Sequence, residues 1–116
     1  MNEQALIRKM QQARERVLEL PNGKRVTLRM PLQTQYFRVF KLPPEELVAQ
    51  LVVGWDGVTE ADLLGDGVGA SDAVPFSAEV AVQWLCEQPG CVSLIISKAL
   101  EVVNSKTRQT AEDEKN

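Results

Sequence analysis

The sequence contains no histidine, and this absence excludes several kinds of functional site. A Ser-His-Asp or Cys-His catalytic unit, a histidine-ligated metal and a histidine pH switch all need an imidazole. Aromatic residues make up only 5% of the chain. We therefore expect a mostly aliphatic core and few side chains that could line a substrate cleft. These absences predict a protein that is not an enzyme and uses no cofactor or metal.

Long hydrophobic runs and a secretory leader are also missing. No window approaches about 18 consecutive apolar residues, and the opening MNEQALIRKMQQ lacks the apolar centre of a signal peptide. Two cysteines, Cys86 and Cys91, are too few for a disulfide scaffold or a zinc site without histidine. We expect reduced, partly buried thiols in a soluble protein of the cytoplasm.

What remains is the composition of one small globular domain. The chain has 116 residues, of which 44% are hydrophobic and 25% charged, close to the globular average. We predict a mainly α (α+β) domain over residues 1–108, with four to five helices and one N-terminal β-hairpin. Residues 109–116 are polar, and we predict that this tail is disordered.

The net charge of −3 is unevenly distributed. Residues 1–53 carry nine Lys or Arg and five Glu, a net charge of +4, whereas residues 54–116 carry four basic and eleven acidic residues, a net charge of −7. This polarity suggests head-to-tail self-association or a partner of mixed charge. An incidental dipole on a solvated surface is an equally weighted alternative. The basic residues are scattered and no nucleic-acid-binding motif accompanies them, so we expect neither nucleic acid nor membrane as a partner.

The first part of the chain predicts a helix followed by a β-hairpin. Apolar residues recur at helical spacing over residues 2–14. The stretch VLELPNGKRVTLRM then alternates apolar and polar residues around Asn22-Gly23, a dipeptide typical of hairpin turns. A helix continuing to Leu20 is the alternative. We favour a hairpin within residues 16–30.

The central part predicts two helices with different features. Tyr36, Phe37 and Phe40 would share one face of a short helix. The sequence PPEE then begins a second helix, with prolines in its first turn and carboxylates near the positive end of its dipole. Gly54 would end that helix after Val53.

A long acidic segment, residues 56–74, follows this helix. It contains four glycines and five acidic residues and resembles neither a calcium-binding loop nor a phosphate-binding loop, so a solvated loop is the main interpretation. Trp55 and Phe76 bracket the segment and would attach its ends to the core, or else form an exposed aromatic contact. Ser77 is a good N-cap for a helix that would run to Glu87, and a final helix follows.

Two short motifs resemble the tail assembly chaperones of long-tailed (siphovirus-type) bacteriophages. The sequence GWDG at 54–57 is similar to a "GW-x-G" turn of that family, and PFSAE at 75–79 is similar to its "PFS-x-E" helix start. The basic segment GKRVTLR at 23–29 precedes them, as it does in family members. The resemblance covers roughly residues 22–108, and the insertion LLGDGVGASDA between the two motifs is longer than expected.

The resemblance implies a non-enzymatic role in the cytoplasm of the bacterial host. Such proteins bind the long, aggregation-prone tape-measure protein, keep it soluble, help to recruit tail-tube subunits and are absent from the finished virion. The family is often made as a short form and a frameshifted long form. The chain resembles the short form, because its last residues Glu-Lys-Asn can be encoded across a slippery run of adenines.

Candidate partner-binding residues come from the motifs, the basic segment and the aromatic face. They are Trp55, Phe76, Arg25, Arg29, Tyr36 and Phe37. Self-association through the basic N-terminal and acidic C-terminal halves is a further expectation. The alternatives are a structural tail component, such as a completion or connector protein retained in the virion, and a small regulatory protein-binding module.

Overall fold

The sequence folds into helices packed on one face of a small antiparallel sheet. A computed structural model describes the backbone of residues 2–65, 69, 71–88 and 90–115. The elements in chain order are α1 (Glu3–Ala13), β1 (Glu15–Glu19), β2 (Arg25–Arg29), a 3-10 turn (Gln33–Gln35), α2 (Tyr36–Val39), α3 (Pro44–Leu51), β3 (Val52–Asp56), α4 (Glu60–Leu64), α5 (Ala78–Glu87) and α6 (Cys91–Lys115).

The predicted fold class is wrong in its balance of helix and strand. Instead of a mainly helical domain with one hairpin, the described residues form a mixed α+β fold with six helices and a three-stranded antiparallel sheet in the order β1-β2-β3. The helix expected to reach Val53 ends at Leu51, and Gly54 lies inside β3 rather than at a helix terminus. The cause is pairing with β2, which places Gly54 opposite Thr27 and Trp55 opposite Val26.

The predicted hairpin within residues 16–30 is present and joins β1 to β2. Gly23 supplies the positive φ of +84° that the turn needs. Asn22 takes a different role, because its side-chain oxygen accepts a hydrogen bond from the backbone N–H of Lys24 at 3.0 Å. The predicted alternation of apolar and polar residues after the turn is also confirmed, since Val26, Leu28 and Met30 are all buried.

The acidic segment predicted as a long loop is partly ordered into secondary structure. Thr59 begins α4 with a capping box, and the only described backbone bridge outside the named strands joins Thr59 to Ala73. Beside that bridge, the N–H of Val74 donates to the carbonyl of Val58 at 2.8 Å, and Val58 is fully buried. Residues 66–68 and 70 of the predicted loop lie outside the described residues.

The core is aliphatic, as the scarcity of aromatics predicted. Its fully buried side chains come from the sheet, α3, α5, α6 and the segment that contains Val58, and Trp84 is the only aromatic residue among the described buried side chains. No charged or polar residue is buried in the described part of the chain. Ser77 caps α5 as predicted, with its hydroxyl accepting from the N–H of Val80.

The two terminal helices differ in how they contact this core. Helix α1 contributes no buried residue, whereas α6 buries Cys91, Ile95 and Ala99 in its first half. Helix α6 extends across residue 108, where the sequence predicted the end of the domain. The division into a domain of residues 1–108 and a polar tail of residues 109–116 stays a prediction. Among the described residues, no helix combines the length and apolar character needed to span a bilayer.

The central strand supplies the first test of this core. Leu28 lies in β2 between its two partner strands and is 0% exposed. Leu28→Ala should lower the free energy of unfolding by about 2–5 kcal/mol, because it removes buried apolar surface and leaves a cavity. Leu64→Ala is a matched control at an exposed position, and its effect should stay within about 0.5 kcal/mol. Urea denaturation measures both values, and equal effects would contradict the described core.

Candidate partner-binding surfaces

Two tryptophans attach the acidic segment to the rest of the fold. The indole N–H of Trp55 donates to the carbonyl of Val74 at 2.8 Å, and that of Trp84 donates to the carbonyl of Asp62 at 3.1 Å. Trp55 also contacts Phe76 and Trp84 edge-on, with ring centroids 5.2 and 6.0 Å away. The predicted attachment of the loop ends by Trp55 and Phe76 is therefore observed, and both rings are half-buried among structural neighbours.

Asp62 connects this segment to the basic hairpin. Its carboxylate accepts hydrogen bonds from the N–H and the hydroxyl of Thr59, at 2.8 and 2.9 Å, and lies 3.3 Å from the ammonium of Lys24. Desolvation raises the pKa of the Asp62 carboxyl, but these hydrogen bonds and the Lys24 charge together outweigh it, so the net pKa lies below its ordinary value of 3.8. The charged form of Asp62 thus stabilises the folded state.

The two arginines predicted to bind partners already have partners inside the chain. Arg25 lies directly opposite Asp56 in the sheet, with a nitrogen–oxygen distance of 3.6 Å. Arg29 lies opposite Glu15, at 3.1 Å. Part of the charge polarity between the two halves is therefore neutralised within one molecule, at Lys24–Asp62 and Arg25–Asp56.

A surface with exposed aromatic side chains lies around α2, and we call it the aromatic groove. It is a concave surface of about 560 Å³ lined by Gln33, Tyr36, Phe37, Phe40 and Lys41. Phe37 is 77% exposed, the highest value among the large hydrophobic side chains of the described residues. The ring of Phe40 packs edge-on against Tyr36, and the ammonium of Lys41 lies 3.8 Å from the centroid of the Phe37 ring.

The sequence predicted that Tyr36, Phe37 and Phe40 share one face of a short helix, but it did not identify Lys41 as part of this surface. Phe40 follows Tyr36 at i+4 and Lys41 follows Phe37 at i+4, the spacing that brings side chains together on a helical turn. Val39, which lies between Phe37 and Phe40 in the sequence, is buried. The groove therefore combines aromatic surface with a cationic edge, a combination suited to an apolar helix flanked by acidic residues.

A second concave surface lies between α3 and α5, and we call it the acidic groove. It measures about 560 Å³ and is lined by Glu45, Glu46, Ala49, Glu79, Val80, Val82 and Gln83. The sequence presented the three glutamates only as favourable residues in the first turns of two helices. These glutamates lie close together only because α3 packs against α5, and no pattern of neighbouring residues in the sequence predicts that packing.

The described side chains include two cysteines and several carboxylates. No group of three or more Cys, Asp or Glu among them is placed to hold a metal ion. Cys86 and Cys91 are free, and burial raises the pKa of both thiols, with the charge of Glu45 adding to the effect at Cys86. Both thiols are therefore poor nucleophiles near neutral pH.

The Asp62 contacts predict a pH-dependent contribution to stability. Since the pKa of Asp62 is lowered on folding, its contribution is present above the ordinary value of 3.8 and is lost as the pH falls through the lower folded value. Asp62→Asn should therefore cost up to about 1 kcal/mol at neutral pH. The difference from wild type should shrink when the pH falls below that ordinary value.

Urea denaturation at neutral and strongly acidic pH measures this difference. Asp72→Asn removes the same charge at an exposed position of the same segment and serves as the control. A cost for Asp62→Asn that is equal at both pH values would contradict the stabilising role of the carboxylate.

One family model matches almost the entire chain. It is described as YdaY prophage protein, and the match covers residues 3–116. No curated protein and no solved structure matches the chain. The matched range includes both grooves and all of α1, and the description of the family names no activity, substrate or partner.

Proposed function

Because the chain belongs to the YdaY prophage protein family, we propose that it is a tail assembly chaperone of the phage that encodes it. In this role the protein is not an enzyme. It binds the tape-measure protein in the cytoplasm of the bacterial host, keeps it soluble and helps to recruit tail-tube subunits. It then leaves before the virion is complete. Family membership supports a phage protein, and the motifs GWDG and PFSAE support the narrower assignment.

The observation that carries the proposal is the exposed aromatic groove. A ring as exposed as that of Phe37 gains little from the fold of its own chain. Burial against a partner would remove its apolar surface from water, at roughly 25 cal/mol per Å². Aromatic residues, including Phe, are enriched in protein interfaces relative to the rest of the surface.

The chemistry of the groove fits the proposed partner. A tape-measure protein is a long helix-forming chain with recurrent apolar stripes, and such stripes aggregate unless they are covered. The groove can accept one apolar stripe, while Lys41 and the exposed Arg38 can pair with acidic residues beside it. The motif residues Trp55 and Phe76 support this surface indirectly, because they stabilise the fold rather than protrude from it.

The third strand favours one alternative, a structural tail component retained in the virion. Connector and completion proteins are usually richer in β structure than the sequence suggested here. The sheet has β1 and β3 as its outer strands, and Val17 of β1 is 60% exposed. An outer strand can pair with a neighbouring subunit. Mass spectrometry of purified particles would detect the protein in this case and would not detect it under the chaperone proposal.

Phe37→Ala tests the chaperone proposal directly. The variant should reduce co-purification with the tape-measure protein by about tenfold or more, as expected for a central aromatic residue in an interface. Because Phe37 is exposed, the free energy of unfolding should stay within about 0.5 kcal/mol of wild type. The measurement is co-expression with the long helical protein encoded immediately downstream, followed by quantification of soluble complex.

Leu64→Ala is the matched control, since it truncates another exposed apolar residue that does not line the groove. It should leave the yield of complex unchanged. Equal yields for Phe37→Ala and wild type would exclude the aromatic groove as the binding surface. A tape-measure protein that stays insoluble beside the wild-type chain would contradict the chaperone function itself.

A further inference from the structure

Helix α1 is amphipathic, yet its apolar face has no partner in the core. Leu6, Ile7 and Met10 are 51%, 46% and 56% exposed, and no residue of the helix is buried. A helix of 11 residues is shorter than the roughly 12–15 residues at which isolated helices become even marginally stable in water. Packing of this face against another surface would therefore stabilise α1.

The acidic groove has the complementary properties. Ala49, Val80 and Val82 supply apolar surface, and Glu45, Glu46 and Glu79 surround it. No basic residue lines this groove, and no ion pair within the described residues involves its three carboxylates.

We propose that α1 of one copy docks in the acidic groove of a second copy of this chain. The apolar face of α1 would cover the alanine and valines, and Lys9 would approach the glutamates. On a helix, Lys9 projects beside the apolar face next to Leu6, whereas Arg8 projects from the opposite side. Neither Lys9 nor Arg8 forms an ion pair within the described chain, in contrast to Lys24, Arg25 and Arg29.

Charge complementarity selects this occupant among those available. Within the hairpin, Lys24, Arg25 and Arg29 are already paired with Asp62, Asp56 and Glu15, and Arg16 donates to the backbone carbonyls of Ala13 and Glu15. Helix α1 carries two free cations beside an unpartnered apolar face, and the acidic groove carries three carboxylates beside apolar surface. The contact joins two different surfaces, so it closes reciprocally in a dimer or continues to further copies. It uses neither Phe37 nor the aromatic groove, and so does not depend on the proposed chaperone function.

Sedimentation velocity of the purified chain over a range of concentrations tests the proposal. Wild type should associate reversibly, and association should weaken as salt screens the charges. Met10→Gln keeps a good helix former but removes apolar surface, and should raise the dissociation constant by about tenfold. Lys9→Glu should also weaken association. Arg8→Glu makes the same change in net charge on the opposite face and should have a smaller effect.

Exchanging the charges of Lys9 and Glu79 tests whether the acidic groove is the surface that α1 contacts. Glu79→Lys alone should weaken association, and the double variant Lys9→Glu with Glu79→Lys should restore part of it. Circular dichroism confirms that each variant is folded. A wild-type chain that stays monomeric at all concentrations overturns the proposal. Association that is unaffected by either Met10→Gln or Glu79→Lys also overturns it, since both surfaces are required.

Discussion

The hydrogen bond from the indole of Trp55 to the carbonyl of Val74 joins the sheet to the acidic segment, and the acidic groove depends on this arrangement. Trp55 is held in β3 by pairing opposite Val26, so its ring position is set by the sheet. From there it contacts Phe76 before α5 and Trp84 within α5. One side chain thus orients the sheet, the acidic segment and α5 relative to one another. Since α5 forms one wall of the acidic groove, that groove depends on this cluster.

The fold also pairs, within one molecule, several of the charges that the sequence contains. Read along the chain, the basic half and the acidic half appear available to other molecules. In the fold, Lys24 meets Asp62 and Arg25 meets Asp56, and Arg29 is paired within its own half. The exposed Arg25–Asp56 pair contributes little to stability, but all three ion pairs make those charges less available for intermolecular binding. Charges without an ion pair in the described chain include Arg8 and Lys9 on α1, Lys41 at the aromatic groove and the carboxylates at the first turns of α3 and α5.

The parts of the fold that were predictable depend on residues close in sequence. Asn22-Gly23 with its flanking alternation predicted the hairpin, and Ser77 predicted the start of α5, because both signals are complete within a few residues. Strand β3 was not predictable in this way. Val52 and Val53 continue the apolar pattern of α3, and only pairing with β2, more than 20 residues earlier, makes them a strand. The Thr59–Asp62 capping box that begins α4 was a local signal overlooked within a glycine-rich segment.

The two candidate grooves also differ in whether residues close in sequence form them. Their charges differ as well, and this gives them different specificities. Tyr36 and Phe37 could be identified from the sequence because one helical turn presents them together, whereas the acidic groove joins residues of α3 and α5, which are far apart in sequence. The aromatic groove has Lys41 beside its apolar surface, and the acidic groove has three glutamates. A helix with acidic flanks is attracted to the first and repelled by the second, and the reverse holds for the basic α1. If both proposals hold, the opposite charges beside the two apolar grooves would let one small chain bind a foreign helix and a copy of itself at separate surfaces.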